Sequence, residues 1–445
     1  MGDWRRIAGM ASTVLATPIV MLPVVMLPVV VLPPVPVPAQ PAPPSGEVAE
    51  VPCPVAELDP APRRPPQPTP PPHRPGDLVL GGEALASGGL VVPPGAGPLP
   101  EGLTATSWLV ADLDTGVVLG GCGPHRHELP ASTLKLLLAA ALLPELDPDQ
   151  AVRVTRADLA IEPGSSAVGL VAGGEYRVET LWLGLLLNSG NDAANVLARV
   201  GGGEAGLAGG LRAMNQTARR LGAYQTSAAT ASGLDGPGQF TSAYDLALIA
   251  RELFDRADFG RYIATERAGI PGQPELDAAG FQIQNQNDLL SRYPGALGGK
   301  TGFTELARHS FVGAAERDRR RLVVTLLGAE ARPLPSWQQA AALLDWGFAL
   351  PAGTRVGRLV EPGELADRAV SSTRAPDRPA PVGQPSSVPS PSPGPGLPVR
   401  VGPVVLAGAA LAVAAPLALV AVLRGGRRRR RRSGTVRRRS GTVTR

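Results

Sequence analysis

The chain holds 43 lysines and arginines, yet only two of them are lysines, Lys135 and Lys300. Where charge alone is needed this sequence writes arginine, so a surviving lysine marks a position that arginine serves badly. Arginine is effectively always protonated, whereas a lysine loses its proton when its surroundings lower its pKa, and its ammonium is compact. Lys135 lies in Ser132-Thr133-Leu134-Lys135. On a helix, positions i and i+3 share a face, so the lysine amine reaches the serine hydroxyl. A serine oxygen is a weak nucleophile until a neighbouring base takes its proton. A desolvated lysine is such a base, because burial lowers its pKa. Pro130 and Ser132 also suit a helix start, where free amide N–H groups face an oxyanion. Lys300 lies in Gly299-Lys300-Thr301-Gly302, whose glycines let a ligand backbone approach a strand closely. Between the two lysines stands Asn188-Ser189-Gly190-Asn191, at a helix-to-helix junction. Asn188 is expected only to cap a helix. Each motif alone is weak, and two lysines stranded on the surface is the plain alternative. The order of the motifs, and their use of both lysines, decides for shared chemistry.

Elements that position these residues can be read around them. TSWLVADLDTGVVLGG gives two β-rich runs about Asp114-Thr115-Gly116, a hairpin signal. PASTLKLLLAAALL reads as a helix that is apolar nearly all round, hence buried. Residues 178–266 are mostly helical in pattern. Strands follow in ALGGKTGF, HSFVGAA and RRLVVTLLGA, the last two joined by a charged turn at 316–320, and SWQQAAALLDWGF closes as a helix. Two strands, a helical block, three strands and a helix predict an α/β (α+β) domain with an antiparallel sheet and a helical side region.

The rest of the chain is not domain-like. Residues 424–445 contain eleven arginines and no acid; subtracting those eleven from the formal charge of +5 leaves −6 for residues 1–423. The body is mildly acidic, which argues against a nucleic-acid binder with a basic face. Residues 1–38 carry Arg5 and Arg6 before an uncharged apolar run, the layout of a secretory signal, with cleavage expected near Val37-Pro38-Ala39 or an uncleaved anchor as the alternative. Residues 39–76 are proline-dense and are expected as an extended extracellular spacer before a catalytic domain at 77–365. A Pro/Ser-rich linker at 366–398 leads to an expected transmembrane helix at 399–424 and an Arg-rich cytoplasmic tail at 425–445. The uncharged stretch at its centre, 401–423, exceeds the roughly 20 residues that span a bilayer. Arginine enrichment just past the span puts the tail inside and Ser132 outside, with anionic lipid headgroups as the tail's partner. Cys53 and Cys122 leave two readings open, a pair in an oxidising exterior or a free, buried Cys122. His125 and His127 have no third ligand nearby and are expected on the surface, so no metal and no cofactor is expected.

S-x-x-K, S-x-N and K-T-G in this order form a signature of penicillin-binding proteins and serine β-lactamases. With PASTLKLL, LLLNSGNDAANVLA, ASGLDGPGQFTSAYDLALIA, QNQNDLLSRYPGALGGKTGFT and RLVVTLLGA, the chain resembles the low-molecular-weight penicillin-binding proteins, the serine-type D-alanyl-D-alanine carboxypeptidases, over most of residues 106–347. The resemblance implies a β-lactamase/transpeptidase-like fold, an antiparallel sheet flanked by helices with a helical subdomain. It implies cleavage of D-Ala-D-Ala in peptidoglycan stem peptides, with β-lactams as inhibitors. Ser132 would be acylated, Lys135 its base, and Ser189 a proton relay to the leaving amine. Asn191 would bind a substrate amide. Lys300 and Thr301 would meet the terminal carboxylate, and Gly302 would line the binding strand. The amides of Ser132 and Phe303 would form the oxyanion hole. Two departures stand out. Arg308-His309 occupies a place where the family often has a small residue, and the β-rich second domain of many members has no expected counterpart.

Two other functions are weighed against this one. A β-lactamase of this motif set usually needs a carboxylate base followed by asparagine between S-x-N and K-T-G; residues 225–239 offer Asp235 but no such arrangement. A non-catalytic sensor of β-lactams or muropeptides would suit the repeated RRRSGTV of the tail, but would not need a complete catalytic set.

Overall fold

In the computed structural model, which describes residues 50–73 and 76–364, the first β-rich runs form the expected hairpin. Strand β1 (Leu90–Val91) precedes it; β2 (Ser107–Asp112) and β3 (Val117–Cys122) are its arms. Asp112 Oδ1 closes the turn by accepting from the amide and hydroxyl of Thr115, at 2.9 and 2.8 Å. Gly116 takes φ 71°, which glycine alone adopts freely. Helix α1 (Lys135–Leu142) buries all eight residues, as its apolar circumference requires. One helical turn, Ala131–Leu134, leads into it as a tighter 3-10 helix. The helical block comprises α2 (Val178–Leu187), α3 (Asn191–Gly201), α4 (Gly206–Leu221), α5 (Ala243–Phe254) and α6 (Ala257–Ile263). Two small hairpins flank this block. One is β4 (Ala151–Arg153) with β5 (Glu175–Arg177); the other is β6 (Arg267–Ile270) with β7 (Phe281–Gln284). Each of these strands buries one residue, too short an alternation to show in sequence.

Helix α7 (Asp288–Arg292) leads into the long strands β8 (Ala296–Thr304), β9 (Arg308–Arg317) and β10 (Arg320–Ala329). Helix α8 (Ser336–Ala349) and β11 (Gly357–Arg358) follow. The turn between β9 and β10 is Asp318-Arg319, both at positive φ, the two-residue geometry that matches strand twist. The sheet is antiparallel throughout, in the order β1-β3-β2-β10-β9-β8, with β11 also paired to β3. Period-two alternation gives it two faces. Leu322, Val324 and Leu326 pack with Leu343 and Leu344 of α8, while Val323 and Leu327 pack on the other side with α1 and α5. The α/β arrangement expected from the order of elements is present, and β8 ends the sheet, so its outer edge is open to a ligand.

Cys53 and Cys122 form a disulfide, which settles the reading the sequence leaves open. It also alters the picture of the proline-dense segment. Residues 50–73 lie against the domain: Leu90 N–H donates to Val51 O and Ala56 N–H to Leu103 O, both at 2.7 Å. Proline density excludes a core of its own, but not docking through carbonyls and through the few polar side chains. The expected signal (1–38), residues 39–49 of the spacer, the linker (366–398), the span and the tail lie outside the described residues. Among the described residues no helix is long and apolar enough to cross a membrane.

Candidate active site

The 3-10 turn before α1 sets Ser132 three residues ahead of Lys135, and the two side chains meet. Lys135 Nζ lies 2.8 Å from Ser132 Oγ, 2.7 Å from Asn191 Oδ1 and 2.6 Å from Ser232 O. Lys135 is fully buried. Its pKa is held well below the usual lysine range, first by that burial and then by the nearby Lys300 ammonium, against a smaller opposing pull from Asp192. The three partners differ chemically. Asn191 Oδ1 and Ser232 O only accept, so a neutral amine gives them its two N–H groups and turns its lone pair to Ser132, the one partner able to donate. The geometry therefore fits a base waiting for the serine proton.

Lys300 comes from β8 and is also buried. Its Nζ donates to Ser189 Oγ at 2.9 Å and to Thr301 O at 2.8 Å, and burial brings its pKa down to about 7. Ser189 sits at φ 59° between α2 and α3, and Ala131, beside the nucleophile, at φ 46°. Left-handed backbone at a non-glycine residue is costly and collects at functional sites. Asn191 opens α3. Thus the helical block presents Ser189 and Asn191, the 3-10 turn and the start of α1 present Ser132 and Lys135, and the open strand presents Lys300 to Phe303. A cavity of about 430 Å³ lies between them, lined by Ser132, Ser166, Ser189, Asn191, Thr301, Gly302 and Phe303 among others. All eight residues singled out in the sequence are brought to one place.

Gly302 is needed for this meeting. A Cβ there would lie 2.8 Å from the Ser132 backbone nitrogen and 2.3 Å from Ser310 Oγ. Ser310 in turn donates to Pro130 O at 2.7 Å and ties β9 to the nucleophile turn. Gly302→Ala should lower the rate of acylation by a fluorescent penicillin about 10²-fold, the scale of losing one oxyanion-hole donor. Labelling within threefold of the parent protein would refute the close-approach argument.

Several expectations need correction. His125 is 2% exposed, not a surface residue. Its ring bonds Leu80 O at 3.0 Å and faces Gln225. His127 is half-buried and stacks on His73, ring centroids 4.3 Å apart. The described residues hold no cluster of His, Cys, Asp or Glu suited to a metal. Asn188 ends α2, but its side chain bridges loops, donating to Ala167 O and accepting from Gln286 Nε2. Arg308 takes φ 58°, pairs with Glu330 at 3.0 Å and lies over the Phe303 ring. His309 tilts against the same ring, so the rim is aromatic and cationic rather than small. Asp235 bonds Thr304 at 3.0 Å and makes no bond to Ser132.

Sequence reasoning missed Ser232, Ser310 and Asp192. Ser232 acts through its backbone carbonyl, which no side-chain pattern announces. Gly233 after it was the available signal: at φ 86°, a Cβ would stand 1.9 Å from Ala131 O. Asp192 is 2% exposed and accepts from the amides of Val168, Gly169 and Leu170, fixing the loop opposite β8.

Comparison with known proteins bears on the family and the fold. A family model described as D-alanyl-D-alanine carboxypeptidase, peptidase S11, matches residues 96–331. D-alanyl-D-alanine carboxypeptidase DacB2 of Mycobacterium tuberculosis is 45% identical over 273 residues, which covers 60% of this chain and 90% of the relative. DacD of Escherichia coli is 33% identical, covering 56% of this chain and 64% of the relative. The crystal structure of a D-alanyl-D-alanine carboxypeptidase from Mycobacterium tuberculosis H37Rv aligns at 44% identity and TM-score 0.56, over 60% of this chain and all of that one. That of the Streptomyces K15 DD-transpeptidase aligns at 26% identity and TM-score 0.53, over 57% of this chain and all of that one. The sheet with its helical flank is thus the transpeptidase-like fold of those structures, and the chain belongs to the S11 family of D-alanyl-D-alanine carboxypeptidases.

Proposed function

We propose that Ser132 is the nucleophile and Lys135 the general base with which this serine-type D-Ala-D-Ala carboxypeptidase trims peptidoglycan stem peptides. Lys300 and Thr301 receive the terminal carboxylate. Asn191 takes a substrate amide. Ser132 Oγ attacks the carbonyl of the penultimate D-Ala as Lys135 Nζ takes its proton. The amides of Ser132 and Phe303 hold the oxyanion. The proton returns by way of Ser189 to the leaving nitrogen, the C–N bond breaks, and D-Ala departs. Water then attacks the Ser132 ester and its proton goes back through the same base. A penicillin follows the first half of this path and stays as the acyl-enzyme.

The observation that carries this reading is the three-partner environment of the Lys135 amine, 2.8 Å from Ser132 Oγ. The test is D-Ala release from an N-acylated tripeptide ending in D-Ala-D-Ala, with mass analysis of penicillin-treated protein. D-Ala should appear, and the penicilloyl mass should sit on the peptide containing Ser132. Its appearance on another residue would overturn the assignment.

The pH dependence follows from the two lysines. The alkaline limb of kcat/KM should fall near pH 7, where Lys300 loses its proton. In Lys300→Arg that limb should vanish, because a guanidinium stays charged; a limb that survives would place the titration elsewhere. The sign for stability is the reverse. Lys300 titrates at about 7 when folded against an ordinary 10.5, so the unfolded chain binds more protons between those values. Its burial penalty is relieved as pH rises through that window.

We further propose that the chain is exported by its N-terminal signal and anchored by one C-terminal span, with the arginine tail inside against anionic lipids. The support is the uncharged run 401–423 followed at once by Arg424. Alkaline carbonate washing of cell membranes should leave the full chain in the pellet and release a variant lacking 399–445. A full chain that washes off would contradict the anchor.

A further inference from the structure

We infer that the proline-dense segment, residues 50–73, is a positioning strap for the substrate-binding hairpin β8–β9, acting chiefly through Arg64. The inference rests on the carboxypeptidase reading above and goes beyond it, because no role has so far attached to this segment. Composition makes it a spacer; its contacts make it part of the domain. One end is fixed by the Cys53–Cys122 disulfide and by Glu50, whose carboxylate accepts from Gly88 N–H at 2.8 Å. The other end passes beside the turn that joins β8 to β9. There Gln67 Nε2 donates to Leu306 O at 3.0 Å.

The centre of the arrangement is Glu330. Its side chain is 7% exposed, so its charge needs partners on both oxygens. Arg64 Nε donates to Oε1 at 3.0 Å, and the same arginine reaches Gly328 O at 2.9 Å. Arg308 Nη2 donates to Oε2 at 3.0 Å. One buried carboxylate thus joins the strap to the first residue of β9. Arg308 is held at φ 58° and its guanidinium lies 5.6 Å over the Phe303 ring. Phe303 is 47% exposed and forms the pocket wall on the substrate side. Removing Arg64 would leave Glu330 to Arg308 alone, whose guanidinium could then shift toward the vacated side of the carboxylate, so the Phe303 ring beneath it would lose its fixed place on the cavity wall.

The nucleophile is pinned from elsewhere. Ser232 O and Asn191 hold Lys135, and Ser310 holds Pro130. None of these contacts passes through the strap, and the Phe303 backbone is held by the β8–β9 ladder, opposite His309, so the strap acts on the Phe303 ring and not on its amide. The strap should therefore govern how well the peptide is bound and leave the bond-breaking rate nearly alone. A mutation that weakens binding equally in ground and transition states raises KM and spares kcat.

The test uses the full chain and its Arg64→Ala, Arg64→Lys, Gln67→Ala and Glu50→Ala variants, with kcat and KM for the D-Ala-D-Ala tripeptide, Tm, and active sites counted by labelled penicillin. Arg64→Ala should raise KM about fivefold to tenfold with kcat per active site within about twofold. Arg64→Lys should fall between it and the parent, since a lysine offers a point charge but not the paired contact. Gln67→Ala, a neutral and exposed change that leaves folding intact, should raise KM about threefold. Glu50→Ala, at the strap's far end, should leave KM unchanged whatever it does to Tm. Unaltered KM in both Arg64→Ala and Gln67→Ala would overturn the inference. So would an equal rise in Glu50→Ala, which would show general loosening. A parent protein that releases no D-Ala would instead overturn the carboxypeptidase reading itself.

Discussion

Lys135→Arg should abolish acylation although arginine is the residue found at every basic position in this chain but Lys135 and Lys300. The amine of Lys135 is fully buried and touches Ser132 Oγ, Asn191 Oδ1 and Ser232 O at once. A guanidinium has no lone pair to offer at neutral pH, so the serine proton has nowhere to go. Losing a positioned base costs up to about 10⁴ in rate, and the rate of labelling by a fluorescent penicillin should fall at least about 10³-fold. Arginine also forces a permanent charge close to the Lys300 ammonium, so Tm should fall by several degrees. Lys135→Met separates the two effects. It is neutral and unbranched, and should be as inactive as the arginine variant while differing from it in Tm. Labelling of Lys135→Arg within tenfold of the parent would show that another group is the base.

That prediction was legible in the sequence because its parts are close in the chain. Ser132 and Lys135 are three residues apart, and the scarcity of lysine marks Lys135 and Lys300 before any fold is known. The hairpin at Thr115, the buried helix α1 and the long strands β8 to β10 were legible for the same reason: each announces itself within about ten residues. What was not legible depends on distant partners. Glu330 finds Arg64 266 residues away. Ser232 gives only a carbonyl. His125 reads as a surface residue because no third ligand stands near it and His127 in the chain, yet Leu80 O and Gln225 enclose its ring. Cys53 reads as undecided because pairing is a matter of where two segments pass, not of spacing. The proline segment fails for a related reason. Its composition states what it cannot build, and nothing in it states what it can lean on.

The largest stability effect should come from a residue the sequence did not single out. Asp192, in the first turn of α3, puts its carboxylate on four backbone amides, Val168 at 2.8 Å, Gly169 at 2.9 Å, Leu170 at 3.1 Å and Ala193 at 2.9 Å. It is 2% exposed, so water cannot replace it. Its charge also suits the positive end of the helix. Asp192→Ala would strand the buried loop amides of Val168 and Leu170 and one helix amide, each costing roughly 1–3 kcal/mol, and the more exposed amide of Gly169 at less cost. Partial collapse of the loop recovers some of this, leaving a net loss of about 4 kcal/mol and a Tm lowered by about 8–15 °C. Asp192→Asn keeps one acceptor oxygen and should show about half that fall. Because Ser165 and Ser166 of the same loop line the cavity, acylation should weaken well below the new Tm. A change under about 3 °C in Asp192→Ala would mean that the loop holds without its carboxylate, and the wall facing β8 would need another support.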